Sequence, residues 1–429
     1  MVNFFRILDS ERHVAFCPTN FVADVYIGCP HACWYCYAPS FSRPAKFEKS
    51  FENFRLFKPR LKERHIEKIG EAIKTANPKG LCDPRKERII EGALKRRFPV
   101  RLGSVSEPLG MPLEKEYRHC YKVMEKFIEN DYPFLVCTKS PLIASPEYID
   151  LLKNAKFVAA QISLISADDK LLRFIETRPG GATPSASSRL DAMKKLVNNG
   201  IWTTCRIQPM IPRVTEMGMK ELIFKLAEIG VNHVIVEFMK FPLMHAKGMS
   251  LKLKQQLDKY CEEGGELPED LRRFDNDLYR FYKSFPDSVV IGNYLFFSRK
   301  EKARLMKQFA QMVREANKEY GTRMTFASGD EETQFLNFTW NCCGIDQLEG
   351  FEGFSTCTIQ TMLKIIREKG RVTLEDMKNY YNPCMEKFFQ LWRKKVRGMY
   401  YFEERVFGLK AIEENGKIAY TFDENLIPG

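Results

Sequence analysis

No apolar run in the 429 residues approaches the roughly 20 needed to span a bilayer, so the sequence offers no membrane helix. The first dozen residues, Met1 to Arg12, lack the basic-then-apolar layout of an export signal, and a cytoplasmic location is expected. Internal repeats and low-complexity tracts are absent. With 44% hydrophobic and 28% charged residues the composition is globular, sized for roughly two to three domains, which excludes a disordered, collagen-like or purely coiled-coil chain. An even cysteine count is missing too: thirteen cysteines without an export signal argue against a disulfide framework and for reduced thiols open to a metal or cluster. Acidic residues are the minority, 55 against 67 Lys and Arg, and the resulting +12 favours an anionic partner.

Three of the cysteines fall in Val25-Tyr26-Ile27-Gly28-Cys29-Pro30-His31-Ala32-Cys33-Trp34-Tyr35-Cys36-Tyr37. An apolar, strand-prone stretch and a glycine lead into C-x3-C-x2-C, a spacing that chance yields on the order of 0.01 times in such a chain. Three thiolates on one short loop can bind three irons of a [4Fe–4S] cube, which normally takes four cysteines, so one iron stays open. Open coordination is what separates a reactive metal site from a structural one. The alternatives are a zinc site using Cys29, Cys33, Cys36 and His31, or a set of free thiols. Zinc pairs usually come as C-x2-C twice, and no second C-x2-C exists here.

The motif resembles the signature of the radical S-adenosylmethionine (SAM) superfamily, and residues 15 to 240 resemble its spore photoproduct lyase-like (DNA repair photolyase-like) branch. The pieces are Gly28 to Ala38, Ser104-Val105-Ser106-Glu107-Pro108, Thr138-Lys139-Ser140, Ile162 to Ser166, Glu176 to Arg189-Leu190, and Gln208-Pro209-Met210-Ile211-Pro212. The resemblance implies that Cys29, Cys33 and Cys36 hold a [4Fe–4S] cluster whose open iron chelates SAM. Cleavage of SAM then gives a 5′-deoxyadenosyl radical. It also implies SAM contacts at Ser106, Lys139 and Ser163, and radical-transfer roles for Tyr35 and Tyr37, with Tyr35 beside the cofactor. Plain aromatic packing is the other reading of the two tyrosines. Arg189 joins the SAM set on charge, since a guanidinium can hold a carboxylate through two hydrogen bonds. One departure stands out: the lyase-like pattern places a hydrogen-donating cysteine where this chain has Ser104, whose O–H bond is too strong for that task. Cys120, Cys137 and Cys205 are the substitute donors to consider.

Strand-like runs at Ala23–Ile27, Val100–Val105, Phe134–Cys137, Phe157–Ile162, Thr203–Ile207 and His233–Phe238 alternate with helical patterns such as Pro112–Glu129, Pro146–Asn154, Ala186–Asn199 and Lys220–Ile229. Such alternation predicts parallel strands with right-handed crossovers, hence an α/β fold built on a partial (β/α)6 TIM-type barrel, as the family also implies. The division expected is 1–250 for the barrel, 251–345 for a helical extension completing it, and 346–429 for a C-terminal winged-helix-like α+β module. In that module helices Gln360–Lys369, Leu374–Tyr381 and Cys384–Arg397 precede strands Met399–Phe402 and Lys417–Phe422. Arg393, Lys394, Lys395 and Arg397 would face a nucleic acid or a protein.

Residues 41–97, between the first and second strands, hold 17 Lys or Arg against 8 Asp or Glu, a net +9. Phe41, Phe47, Phe51, Phe54 and Phe57 are interleaved. Cations that neutralise phosphates and rings that stack on bases would suit a DNA or RNA substrate. Amphipathic helices with their phenylalanines in the core explain the same pattern. Cys342, Cys343, Cys357 and Cys384 are candidates for an auxiliary cluster or a zinc site, although their spacing fits no standard pattern. The function expected is a radical SAM enzyme abstracting hydrogen from a nucleic-acid substrate, in a lyase, repair or base-modifying reaction, with electrons from a flavodoxin- or ferredoxin-type donor. The alternatives are a radical SAM enzyme for a peptide or small molecule, and a nonenzymatic zinc or Fe–S nucleic-acid-binding protein.

Overall fold

The computed structural model describes residues 2–8, 19–31, 33–41, 47–177, 181, 183–339, 341–349, 351, 359–379 and 409–422. Eight strands form its main sheet: β1 (Phe5–Ile7), β2 (Phe21–Ala23), β3 (Val100–Leu102), β4 (Phe134–Thr138), β5 (Val158–Ser163), β6 (Thr203–Met210), β7 (His233–Phe238) and β8 (Thr325–Ser328). They lie side by side in chain order. β1 runs antiparallel to β2 and every other pairing is parallel. Helices His119–Glu129, Pro146–Lys153, Ala186–Asn198, Met219–Ile229 and Arg299–Tyr320 occupy the crossovers.

Alternation along the strands decides what each face does. Val136, Ile162, Cys205 and Val234 are fully buried and belong to the large core shared with the helices. Burying each such aliphatic side chain contributes about 1.5–3 kcal/mol. On the opposite face Leu135, Ala159 and Ile235 close on Cys343, Ile345 and Phe351 in a separate small cluster. Further along those strands the same face turns polar, with Cys137, Gln161, Arg206 and Glu237. That apolar floor and polar middle set up an interior cavity.

Five of the six expected barrel strands stand where their apolar runs predict, with bounds moved by a few residues. The first does not. Its strand is Phe21–Ala23, because the buried Asp24 carboxylate pairs with Arg6 and accepts hydrogen bonds from the Ser104 amide (2.9 Å) and hydroxyl (3.0 Å). Tyr26–Ile27 leaves the sheet and pairs antiparallel with Lys58–Pro59. β1 and β8, three and four residues long, carry too little pattern to be read from sequence.

Beyond β7 come helices Ala246–Glu262, Glu269–Arg272 and Leu278–Lys283. The apolar Val289–Phe297 stretch is a hairpin, Val289–Ile291 with Tyr294–Phe296, that pairs with Phe241–Pro242. Near the C-terminus, helices Ile359–Lys369 and Leu374–Lys378 accompany a sheet ordered Val372–Thr373, Lys417–Phe422, Leu409–Glu414. The strand partnering Lys417–Phe422 across the Asn415-Gly416 turn is thus Leu409–Glu414. The expected Cys384–Arg397 helix, with its four basic residues, and the Met399–Phe402 strand lie outside the described residues.

Candidate active site

The cysteine loop is built by a glycine and a backbone clasp. Gly28 has φ +78°, and a Cβ there would come within 2.5 Å of the Phe54 carbonyl oxygen, so only glycine allows the approach. The Cys29 amide donates to that same carbonyl at 3.0 Å, and the Cys36 amide turns back to the Cys33 carbonyl at 3.2 Å. Cys29, Cys33 and Cys36 are free thiols, and all three line one cavity of about 690 Å³. Their charges bear on one another, since Cys33 and Cys36 both raise the pKa of Cys29, behind the larger effect of burial. Three unbridged thiols spaced C-x3-C-x2-C on a tight loop, all lining one cavity, supply the donor types of a [4Fe–4S] cluster with one open iron.

Most of the expected site residues line the same cavity: Tyr35, Tyr37, Ser106, Lys139 and Ser163. Lys139 Nζ sits 3.4 Å from Cys33 Sγ and 2.6 Å from the Tyr35 hydroxyl, and pairs with Glu176. Tyr35 also donates to Glu176. Glu176 and Arg189 are completely buried and paired at 2.6 Å. Burial pushes the Glu176 carboxyl up, but the charges of Arg189 and Lys139 prevail and hold it at about 2. Burial alone would lower Lys139, yet Cys33 and Glu176 leave it above its ordinary value and firmly cationic.

Arg189 departs from its expected role. Its guanidinium points behind the cavity wall, onto Glu176, the Ser163 carbonyl (2.8 Å) and the Ser185 carbonyl (3.2 Å). It fixes the carboxylate that fixes Lys139 and does not itself reach the cavity. Ser104 is committed as well: its hydroxyl donates to Asp24 and accepts from Arg6 at 2.8 Å. Ser106 donates to the Tyr26 carbonyl at 3.0 Å, and the Tyr37 hydroxyl reaches the Ser104 carbonyl at 3.3 Å.

Glu107, which the sequence quotes without a role, and His31, which the zinc alternative used, complete the loop's support. Glu107 meets His31 Nε2 at 2.9 Å, accepts the Lys139 amide at 2.9 Å and pairs with the Thr138 hydroxyl. Burial opposes its ionisation, but His31 and these donors keep its carboxyl below the usual range. Of the substitute thiols, Cys120 and Cys205 are buried in the helix-side core, whereas Cys137 lines the cavity with Cys342 and Cys343. Cys342 and Cys343 sulfurs lie 4.0 Å apart; Cys357 and Cys384 lie outside the described residues. Among the described residues no group of three or more His, Cys, Asp or Glu is gathered closely enough to hold a metal ion, the cysteine loop included, so the auxiliary site gains no support and the cluster assignment rests on the cysteine spacing and the shared cavity.

The basic segment divides into two parts. Phe54–Pro59 lies against the cluster loop, with Leu56 and Lys58 exposed. Helices Glu63–Thr75 and Glu87–Lys95 bury Ile66, Ile69, Ile90 and Leu94 and turn Arg64, Lys68, Lys74 and Lys95 outward. Phe57 packs on Tyr26 at 5.1 Å and is not a free stacking platform. The side chains of Phe41, Phe47 and Phe51 lie outside the description. Among the described residues no helix is long and apolar enough to cross a membrane.

Comparison with known proteins places this site in a family. Residues 24–226 match the model of the Radical SAM superfamily. An uncharacterized protein of Acidianus two-tailed virus is 26% identical over 271 residues, covering 60% of this chain and 78% of that one. A radical SAM Nα-GlyT isomerase of Pseudomonas phage M6 is 29% identical over 155 residues; the match covers 36% of this chain and 31% of the isomerase. Among solved structures, a spore photoproduct lyase variant with dinucleoside spore photoproduct superposes with a TM-score of 0.47 at 15% identity, over 75% of this chain and 78% of that one. The family match begins at Asp24, just after β2, and takes in the cysteine loop, Lys139, Glu176 and Arg206. Residues 24–226 are a radical SAM domain, and the protein is an enzyme of the radical SAM superfamily.

Proposed function

We propose that the enzyme abstracts a hydrogen atom from a nucleotide unit of DNA or RNA held in the cavity, as the first step of a base-modifying or lyase reaction. The observation that carries this reading is the contact between the cysteine loop and the basic segment, the Cys29 amide on the Phe54 carbonyl and Ile27 paired with Lys58, which brings the stretch holding Arg55 and Lys58 against the loop that bears the three thiols. Electrostatic attraction to phosphates there would deliver a strand to the site.

Cys29, Cys33 and Cys36 would hold the [4Fe–4S] cluster, and Ser106, Lys139 and Ser163 would contact SAM. When bound, the cluster and SAM supply a 5′-deoxyadenosyl radical. The chain's own part is to position and to shield. Lys139, anchored by Glu176, keeps a positive charge against Cys33 and favours its thiolate form. The His31–Glu107 pair steadies the loop between the first two cysteines. The Val289–Phe296 hairpin lines the cavity with Ile291 and Tyr294 and limits water entry, which protects a radical. The reductant would be of flavodoxin or ferredoxin type, in the cytoplasm. A winged-helix-like C-terminal module would add a second nucleic-acid contact.

Deuterated oligonucleotides test the reading, with label appearing in 5′-deoxyadenosine as the expected result. Binding of the same strands should weaken steeply between 50 and 200 mM salt, by about 10³-fold or more if six phosphates are contacted. Absence of binding at low salt, together with label transfer from peptides or small molecules, would replace the nucleic acid by those substrates.

A further inference from the structure

Arg206 lies within β6, opposite Ser163 of β5 and Ile235 of β7, and projects into the cavity. Its guanidinium donates to Gln161 Oε1 at 2.8 Å and to Gln208 Oε1. Neither partner is charged. The nearby carboxylate on the same face, Glu237, is engaged by Lys240 at 2.6 Å and by the Gln208 amide. Arg101 lines the same cavity, and its charge works against that of Arg206. Gln161 Nε2 and Thr204 Oγ1, on fully buried side chains of the two central strands, have no hydrogen-bond partner. The direct partners of Arg206 are neutral amides; burial opposes its charge and the nearby sulfurs of Cys137, Cys343 and Cys342 support it, so the two guanidinium groups face thiols rather than a carboxylate in a low-dielectric interior. The Arg206 fork of donors suits a carboxylate or phosphate group, and two of its five N–H groups are occupied by protein.

We propose that Arg206, with Arg101 beside it, forms a subsite for an oxyanion of the substrate at the inner end of the cavity. The inserted part of the substrate therefore carries a carboxylate or a phosphate and enters oxyanion first, beneath the cluster loop. Only the identity of the molecule that brings the oxyanion rests on the nucleic-acid reading.

Cys342 and Cys343 line this end of the cavity and serve as reporters. Cluster-loaded protein is treated with iodoacetate, which carries a carboxylate, or with neutral iodoacetamide. In both cases a thiolate displaces iodide, and mass spectrometry maps the alkylated residue. Dividing the two rates at one thiol cancels its thiolate fraction. Cys261, at the end of helix Ala246–Glu262 and away from the cavity, gives the reference ratio. The iodoacetate-to-iodoacetamide ratio at Cys342 or Cys343 is expected to exceed that at Cys261 by about tenfold, the ratio worth 1.4 kcal/mol of attraction. Arg206→Gln should return it to the reference value and Arg206→Lys should keep part of the preference. Protection by malonate identifies a carboxylate subsite, and protection by inorganic phosphate a phosphate subsite.

A ratio equal to that of Cys261 in the unaltered protein, or no protection by either anion, overturns the proposal without any variant having to fold. Equilibrium dialysis with SAM gives a second check. Arg206→Gln should leave SAM affinity within twofold, and a tenfold loss would assign the guanidinium to the cofactor and overturn the substrate role. None of these readouts needs radical turnover, so failure of the subsite and failure of the nucleic-acid reading remain distinguishable.

Discussion

The two sides of the cavity treat buried charge in opposite ways. On the cysteine side, Lys139 and Arg189 share Glu176, and Tyr35 ties the same carboxylate to the loop, so each charge has an opposite charge in contact. On the facing side, Arg206 rests on two amides, with the Cys137, Cys343 and Cys342 sulfurs supporting its charge and the Arg101 guanidinium opposing it. A buried ion that is paired and fully hydrogen-bonded acts as scaffold, because losing one partner strands the other. A buried cation whose direct partners are neutral strands no carboxylate when it is removed and keeps donors available to a ligand. The partner decides the role.

The sharpest break of this contrast is on the cysteine side. Cys33→Ala should reduce 5′-deoxyadenosine formation by at least about 10³-fold, roughly 4 kcal/mol of barrier, with bound iron falling in parallel. Undiminished cleavage would remove Cys33 from the cluster. Next comes stability. Glu176→Gln leaves Arg189 buried without its counter-charge and is expected to cost about 3–5 kcal/mol in urea unfolding. Arg206→Met on the facing side should change stability by less than about 1 kcal/mol or raise it, since no carboxylate is orphaned. Equal losses in the two variants would erase the distinction between the sides.

The part of this contrast that sequence reveals is the part carried by local pattern. C-x3-C-x2-C marks the loop, and the apolar runs at 134–137 and 233–238 mark their strands, because each is a signal within a few residues. Glu176 ends helix Asp169–Glu176 and Arg189, 13 residues on, lies in helix Ala186–Asn198, and no periodicity joins them. The charge of Arg189 therefore reads as a ligand clamp, where packing makes it a buried support. The displaced first strand has the same origin: Asp24 is satisfied by Arg6 and Ser104, partners 18 and 80 residues away. Charge counting found the basic segment and overestimated how much of it adjoins the cysteine loop, since two of its helices bury their apolar faces elsewhere.

Beneath Arg206 the floor gives a pH-dependent test. His233 is fully buried, with Nε2 donating to the Cys342 carbonyl at 2.9 Å and Nδ1 2.8 Å from the Thr325 hydroxyl. Burial lowers its pKa from 6.5 to about 4. The folded protein therefore keeps the ring neutral at pH values where the unfolded chain protonates it. Stability is full above about pH 6.5 and declines as pH falls towards 4, by roughly 3 kcal/mol in total. Urea unfolding from pH 7.5 to 4.5 should show this slope, and a His233→Gln variant should flatten it. Gly344, at φ +66°, seats the turn on this ring, where a Cβ would come within 2.6 Å of it.

A smaller loss than that of Glu176→Gln is expected where Ser104 stands in place of a lyase-type cysteine. Its hydroxyl bridges Arg6 and Asp24, and Ser104→Ala removes two charge-assisted hydrogen bonds while the Arg6–Asp24 pair stays in contact. The expected loss is about 1–2 kcal/mol in urea unfolding, below that of Glu176→Gln because the ion pair survives. Ser104→Cys places a weaker hydrogen-bond partner at the same position and should lose a similar amount of stability. If radical turnover relied on a donor at this position, that variant would gain product per SAM cleaved. Unchanged product yield in Ser104→Cys, with the stability loss present, would leave Ser104 a brace between Arg6 and Asp24 and direct the search for a donor to Cys137, the one of the three substitute thiols that faces the cavity.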